Sequence, residues 1–241
     1  KVCEPTSLSL GGVTNCAILA ANNTFSDASV TITDTLPAQL VLVPNAPIVG
    51  ATRTGNGVTF NGVLAGAQPP DVFIGEGLTP AGYLPLSLFG IAPIAGVGDE
   101  TITNYNVPAF QYGSQTYTRI GIVSNGYAVV GGGTGADVQF INQVLPDSTL
   151  PNNVLAPFWT DLNPGGAGAM RVGTLTDGVD TWLILDWEGV KEYSSVATAS
   201  FQIWIRLGVV EDISFAYGDI QGNGDLGYVT VGAENSFGNR G

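Results

Sequence analysis

Almost every apolar segment of this chain is short, rich in β-branched and aromatic residues, and closed by Gly, Pro, Asn or Asp, the pattern that strands and tight turns produce. No segment predicts a helix. Alternation is clearest where Phe201, Ile203, Ile205 and Leu207 share one face while Gln202, Trp204 and Arg206 take the other. Leu183, Leu185 and Trp187 likewise oppose Trp182, Ile184 and Asp186. Near the start, Ala28, Val30 and Ile32 oppose Ser29, Thr31 and Thr33, and Asp34-Thr35-Leu36-Pro37 ends the strand.

The pattern predicts strands at 17–21, 29–33, 40–43 and 58–60, then a denser series at 117–123, 126–130, 154–159, 169–174, 181–187, 199–207, 212–217 and 228–233. Thr176-Asp177-Gly178 and Gly222-Asn223-Gly224-Asp225 supply hairpin-like turns. Between about 68 and 98, Pro69, Pro70, Pro80, Pro85 and Pro93 interrupt the apolar runs, which reads as an interdomain connection with one short strand. The expected fold class is all-β, two antiparallel β-sandwich domains, with boundaries at 1–75, 76–104 for the connection and 105–241.

Composition narrows the function. The 34 Gly, 14 Pro and 11% charged residues describe a turn-rich chain, and 44% hydrophobic residues can fill a sizeable core. Seven Lys and Arg against 20 Asp and Glu give a net charge of −13, a field that repels nucleic acid and anionic membranes. No apolar run is long enough to span a bilayer, so no membrane insertion is expected. The opening Lys1-Val2-Cys3 is expected of a processed product or an excised piece. Cys3 and Cys16, the only cysteines, flank neighbouring strand segments; a disulfide between them implies an exported, extracellular or cell-surface protein, with two reduced buried thiols as the alternative. Asn22-Asn23-Thr24 fits a glycosylation acceptor.

There is no histidine. That removes Ser-His-Asp and Cys-His-Asn triads and the usual zinc ligands, leaving carboxylates, lysine and hydroxyls. Calcium is the one cofactor the acidic loops suggest: Asp161 with Asn163, Asp177 with Asp180, and Asp219, Asn223 and Asp225 offer hard oxygen ligands, although Asp and Asn are also ordinary turn formers. Asp186 and Glu188 fall on one strand face beside Trp182, at a spacing open to a glycosidase carboxylate pair; a solvated or interface surface is the simpler reading. Lys191 near Ser194 and Ser195 raises a Ser-Lys dyad, or an isopeptide link to an unidentified acid. Trp159 and Trp187 read as core, whereas Trp182, Trp204 and Arg206 are the candidates for a ligand surface that takes sugar rings or protein substrates.

Two resemblances follow from particular runs. Residues 15–40, NCAILAANNTFSDASVTITDTLPAQL, resemble the immunoglobulin-like conserved-repeat domain of bacterial surface and secreted proteins. The runs SNGYAVVGG from Ser124, NNVLAPFWTDLNPGGAG from Asn152, TWLILDWEGV from Thr181, FQIWIRL from Phe201, ISFAYGDI from Ile213 and the closing VGAENSFGNRG resemble a nidogen-like β-sandwich in the C-terminal regions of exported bacterial subtilisin-like serine proteases. The resemblance implies an immunoglobulin-like domain followed by a larger nidogen-like or jelly-roll-like sandwich. None of a subtilase's catalytic residues can be carried onto this chain, which lacks the histidine and its glycine-rich setting. The implied function is a noncatalytic accessory region, with the protease's own catalytic domain and protein substrates as partners. The alternative is an adhesive or stalk module of a bacterial surface protein.

Overall fold

The computed structural model describes residues 1–4, 9–18, 20, 22, 27–44, 48–64 and 79–241. The chain divides into two compact units, 1–68 and 69–241. Among the described residues all strand pairs are antiparallel and the only helical turns are three short 3-10 segments.

In the first unit, β1 (Val2–Glu4) pairs with β2 (Asn15–Ala17), and Cys3 lies directly opposite Cys16, to which it is disulfide-bonded. A three-stranded sheet has the order β3 (Ala28–Thr35), β5 (Gly57–Leu64), β4 (Thr52–Thr54). Strand β3 shows the expected half-buried alternation, and its exposed face carries a Thr31 Oγ1 to Asn61 Oδ1 hydrogen bond of 2.7 Å. Two expected strands differ. Residues 40–43 join no ladder, because the Asn56 side chain donates to the Leu40 carbonyl and accepts from Leu42 N–H, satisfying the backbone without a partner strand. The strand expected at 17–21 lies earlier, at Asn15–Ala17, and residues 19 and 21 fall outside the described residues.

The disulfide spans a separation of 13 residues, and opening it is expected to cost the first unit about 3 kcal/mol by freeing its unfolded chain. A Cys3→Ser, Cys16→Ser variant should show that loss in denaturant unfolding of the first unit; a midpoint shift of less than about 0.5 kcal/mol would remove the disulfide from the stability account.

The second unit packs two five-stranded sheets into a β-sandwich. One sheet has the order β15 (Thr230–Ala233), β9 (Val154–Trp159), β8 (Tyr127–Val130), β7 (Gln115–Val123), β6 (Ile102–Tyr112). The other runs β10 (Leu162–Asn163), β12 (Thr181–Glu192), β13 (Thr198–Arg206), β14 (Ile213–Ile220), with β11 (Ala169–Thr176) also paired to β12. Between them lies the main core, where Phe110, Ile120, Ile122, Leu155 and Phe158 of the first sheet meet Leu183, Leu185, Trp187, Phe201 and Ile203 of the second. The Trp187 indole crosses that core to donate to the Val123 carbonyl at 2.9 Å, and Tyr217 Oη reaches the Pro157 carbonyl at 2.8 Å.

Both sheets are apolar on their outer faces as well, so each needs a cover. Val123, Tyr127, Val129, Val154, Ala156 and Trp159 pack under Val138 and Leu145 of the 138–152 segment. Trp182, Ile184, Trp204 and Ala216 pack under Leu86, Tyr83, Leu84 and Ile91. The expected interdomain connection is corrected here: of its described residues, 79–104, those from Tyr83 to Ile94 form a strap bound across the second sheet, with a 3-10 turn at Leu86–Phe89. The boundary at 105 is also too late, since β6 begins at Ile102.

Candidate functional site

Five residues expected at a ligand surface lie together on the outer face of β12 and β13, and the strap covers most of them. Leu86 is 0% exposed, Trp182 8% and Trp204 2%; the two indoles meet edge to face with centroids 6.3 Å apart. Burying such large apolar area on the outer face of this strand pair gives the strap its anchorage. The polar side chains of the same face then satisfy the strap's backbone. Gln202 Oε1 accepts from Leu84 N–H at 3.1 Å and its Nε2 donates to the Leu84 carbonyl at 2.5 Å. Asp186 Oδ2 accepts from Leu86 N–H at 2.9 Å, and Arg171 Nε donates to the Ile91 carbonyl at 3.0 Å.

The surface platform expected of Trp182 and Trp204 is therefore corrected to an internal interface. The carboxylate pair is corrected for the same reason. Asp186 is 0% exposed beneath Leu86, while Glu188 accepts from Ser87 Oγ at 2.6 Å and pairs with Arg171, leaving neither free to meet a substrate. Arg206 is held by Asp180 at 2.6 Å. Burial, offset by the Leu86 and Gln202 hydrogen bonds and added to by the Glu188 charge, pushes the Asp186 carboxyl up to about 6.

The acidic loops sort differently from expectation. Asp177 is a turn residue whose Oδ1 accepts from Val179 N–H and Asp180 N–H, which lowers its carboxyl. Asp219 is exposed and accepts from Gln221. Asn223 is exposed, whereas Asp225 is buried and accepts from Ser194 N–H at 2.6 Å and from the Ser194 hydroxyl. Asp225 is thereby engaged by Ser194, while Asp219 and Asn223 lie at the surface. Nor is there a Ser-Lys dyad: Ser195 Oγ donates to Glu192 Oε2 at 2.8 Å, and Lys191 Nζ to the Tyr193 carbonyl at 3.2 Å.

Asp161 instead joins two residues from the supposed connection. One carboxylate oxygen from each of Asp99, Glu100 and Asp161 lies within 4.8 Å of the others. Asn163, the expected companion, turns its Oδ1 to Gly166 N–H at 3.0 Å. The cluster is built by the Ser124-Asn125-Gly126 turn: buried Asn125 donates to Glu100 Oε2 at 2.8 Å and accepts from Leu162 N–H at 3.0 Å, fixing residues 100 and 162 together. Gly126 has φ 79°, and a Cβ there would stand 2.0 Å from the Phe158 carbonyl oxygen, so only glycine closes this turn. Burial and then the charges of Glu100, Asp225 and Asp99 raise the Asp161 carboxyl to about 6. Asp161 Oδ1 and Asp99 Oδ1 are buried without hydrogen-bond partners. Such oxygens are the donors that a hard cation such as calcium takes, and Asp99, Glu100 and Asp161 are the residues that could hold one.

In chelator-containing buffer near neutral pH, Asp161→Asn is expected to raise the Tm by about 2–4 °C through relief of carboxylate repulsion, on the order of 1 kcal/mol after solvent screening. Calorimetry checks it; a Tm that falls would show that Asp161 is stabilising as a charge.

Asn22 Nδ2, the atom a glycan would use, donates to the Leu64 carbonyl at 3.0 Å, and residues 23 and 24 of that triplet lie outside the described residues. A shallow depression on the first unit, lined by Gly50, Ala51, Thr52, Thr59 and Asn61, contains none of the expected site residues.

The disulfide and the all-β sandwich covered on both outer faces are consistent with an extracellular protein. The chain belongs to the NIDO-related family, whose model matches residues 83–240, starting with the strap and ending at the last turn. No curated protein and no solved structure matches it. No described helix is long and apolar enough to cross a membrane.

Proposed function

We propose that the chain is a noncatalytic accessory region of an exported protein, and specifically of a secreted subtilisin-like serine protease. In that setting it assists substrate binding, positions the catalytic domain or supports secretion. The observation that carries the noncatalytic reading is the engagement of Asp186 and Glu188 by Leu86, Ser87 and Arg171 under the strap, in a chain with no histidine. The family match and the disulfide support an extracellular setting. We read the first unit as an immunoglobulin-like conserved-repeat domain, a reading supported by the alternating strand β3 and its pairing with β5.

The test is co-sedimentation with insoluble protein fibres and with polysaccharides, alongside turnover assays on protein and glycoside substrates. Retention on protein fibres with no turnover is expected. Turnover that persists through repurification overturns the noncatalytic reading, and retention on polysaccharide alone overturns the protease-accessory one.

A further inference from the structure

The segment covering the first sheet of the second unit is fixed at two places, to Thr230 of β15 and to Glu234, the residue that follows that strand. At one, Thr230 Oγ1 donates to the Gln143 carbonyl at 2.6 Å and accepts from Asn142 Nδ2 at 2.8 Å. At the other, Asp147 N–H donates to Glu234 Oε2 at 2.9 Å. Glu234 is 1% exposed, and its second carboxyl oxygen, Oε1, is buried with no hydrogen-bond partner. Asn152 Oδ1 is another buried acceptor with no donor. It sits beside the Asp147 carbonyl, since both oxygens lie 2.1 Å from the point that a Cβ on Gly238 would occupy. Around Asp147 the fold has thus gathered acceptor oxygens in excess of donors, an arrangement that costs free energy unless a donor is supplied.

We propose that Glu234 is a proton-operated latch: a proton taken from solvent onto its carboxyl supplies the donor this pocket lacks and holds the 145–152 segment against the end of β15. Loss of that proton to solvent leaves a buried carboxylate among acceptors and releases the segment. The oxygen set favours a proton over a metal ion, for it offers one buried carboxylate and two neutral oxygens where calcium takes about six to eight. The charged and titratable groups on the surrounding elements are Asp147 on the segment itself, Tyr112 of β6, Glu211, and Arg240 on the closing turn. Tyr112 Oη donates to the Glu234 main-chain carbonyl at 2.7 Å, Glu211 caps Gly113 N–H at 2.8 Å, and the Arg240 carbonyl accepts from Asn235 N–H. Burial, offset by the hydrogen bond from Asp147 N–H and added to by the Asp147 charge, raises the Glu234 carboxyl to about 7. The latch therefore holds more firmly at acidic pH and loosens as the pH rises.

Hydrogen exchange on the full chain at about pH 5.5 and about pH 8.5, corrected for intrinsic exchange, tests this. The 147–152 amides should open about tenfold more at the higher pH, while Glu234→Gln, which keeps a neutral donor at both, shows no such response. Asp186→Asn should leave the segment's response in place, separating it from global stability. Equal protection of wild type at both pH values, or a wild-type response in Glu234→Gln, overturns the latch. Should Glu234→Gln not fold, infrared spectra of glutamate-labelled wild type decide: a protonated-carboxyl band titrating near pH 7 is expected, and its absence overturns the proposal.

Discussion

Leu86→Ala is expected to destabilise the second unit by about 3 kcal/mol and to lower its Tm by roughly 6–12 °C. Leu86 is fully buried between Trp182, Ile184, Trp204 and Ala216, so its truncation removes a central side chain of the outer cluster and leaves a cavity where the strap meets the sheet. The same contact shields the indoles. Tryptophan emission should therefore shift to the red as Trp182 and Trp204 gain water, while the cross-strand pair of Trp187 and Phe201 on the inner face, stacked at 5.1 Å, stays dry. A loss below about 1 kcal/mol with unchanged emission would mean that the strap does not cover this face in solution.

Stability is expected to rise as the pH falls from about 8 toward about 5, the reverse of the usual carboxylate response. Asp161 and Asp186 are raised to about 6 and Glu234 to about 7, in each case chiefly by burial. A carboxyl whose folded value lies above its unfolded value binds protons more readily when folded, so unfolding releases them between those two values. Stability then increases as pH drops through the folded values and levels off near the unfolded ones, where both states are protonated. Below that, Asp147 and Asp177, whose carboxyls are lowered by turn hydrogen bonds, begin to take up protons and reverse the trend. Asp186 contributes about 2–3 kcal/mol of the rise, since each tenfold change in its proton affinity on folding corresponds to about 1.4 kcal/mol. Asp186→Asn keeps an acceptor for Leu86 N–H and removes the charge; it should raise the Tm at about pH 8 and flatten the profile. A wild-type Tm that climbs steadily from pH 5 to 8 would contradict this burial-driven reading.

Much of the sandwich is legible in the sequence because strand alternation is local. Residues 181–187 and 201–207 even announce that both faces need cover, since Trp182, Ile184 and Trp204 are as apolar as Leu183, Leu185 and Ile203. What supplies that cover is not local. The strap binds through the backbone of Leu84 and Leu86, which leaves no periodic mark, and its prolines imitate a linker. Strand β6 is hidden for a related reason: Pro108 falls where its register with β7 shifts, between Asn106 and Phe110, so the residue that demotes the strand in sequence sits at the bulge that accommodates it. Asp161 is legible as an acidic loop residue, but its companions Asp99 and Glu100 come from between the strap and β6, and Asn125 ties Glu100 to Leu162 beside it, a contact no spacing rule reveals.

The tryptophan-bearing face of the second sheet is an internal interface and not a ligand surface. Acrylamide quenching of the native protein tests it most directly, because all four tryptophans, Trp159, Trp182, Trp187 and Trp204, are buried. Blue-shifted emission with weak quenching throughout is the predicted result. A quenching component approaching that of free tryptophan, assigned by substitution to Trp182 or Trp204, would contradict it and return that face to the surface.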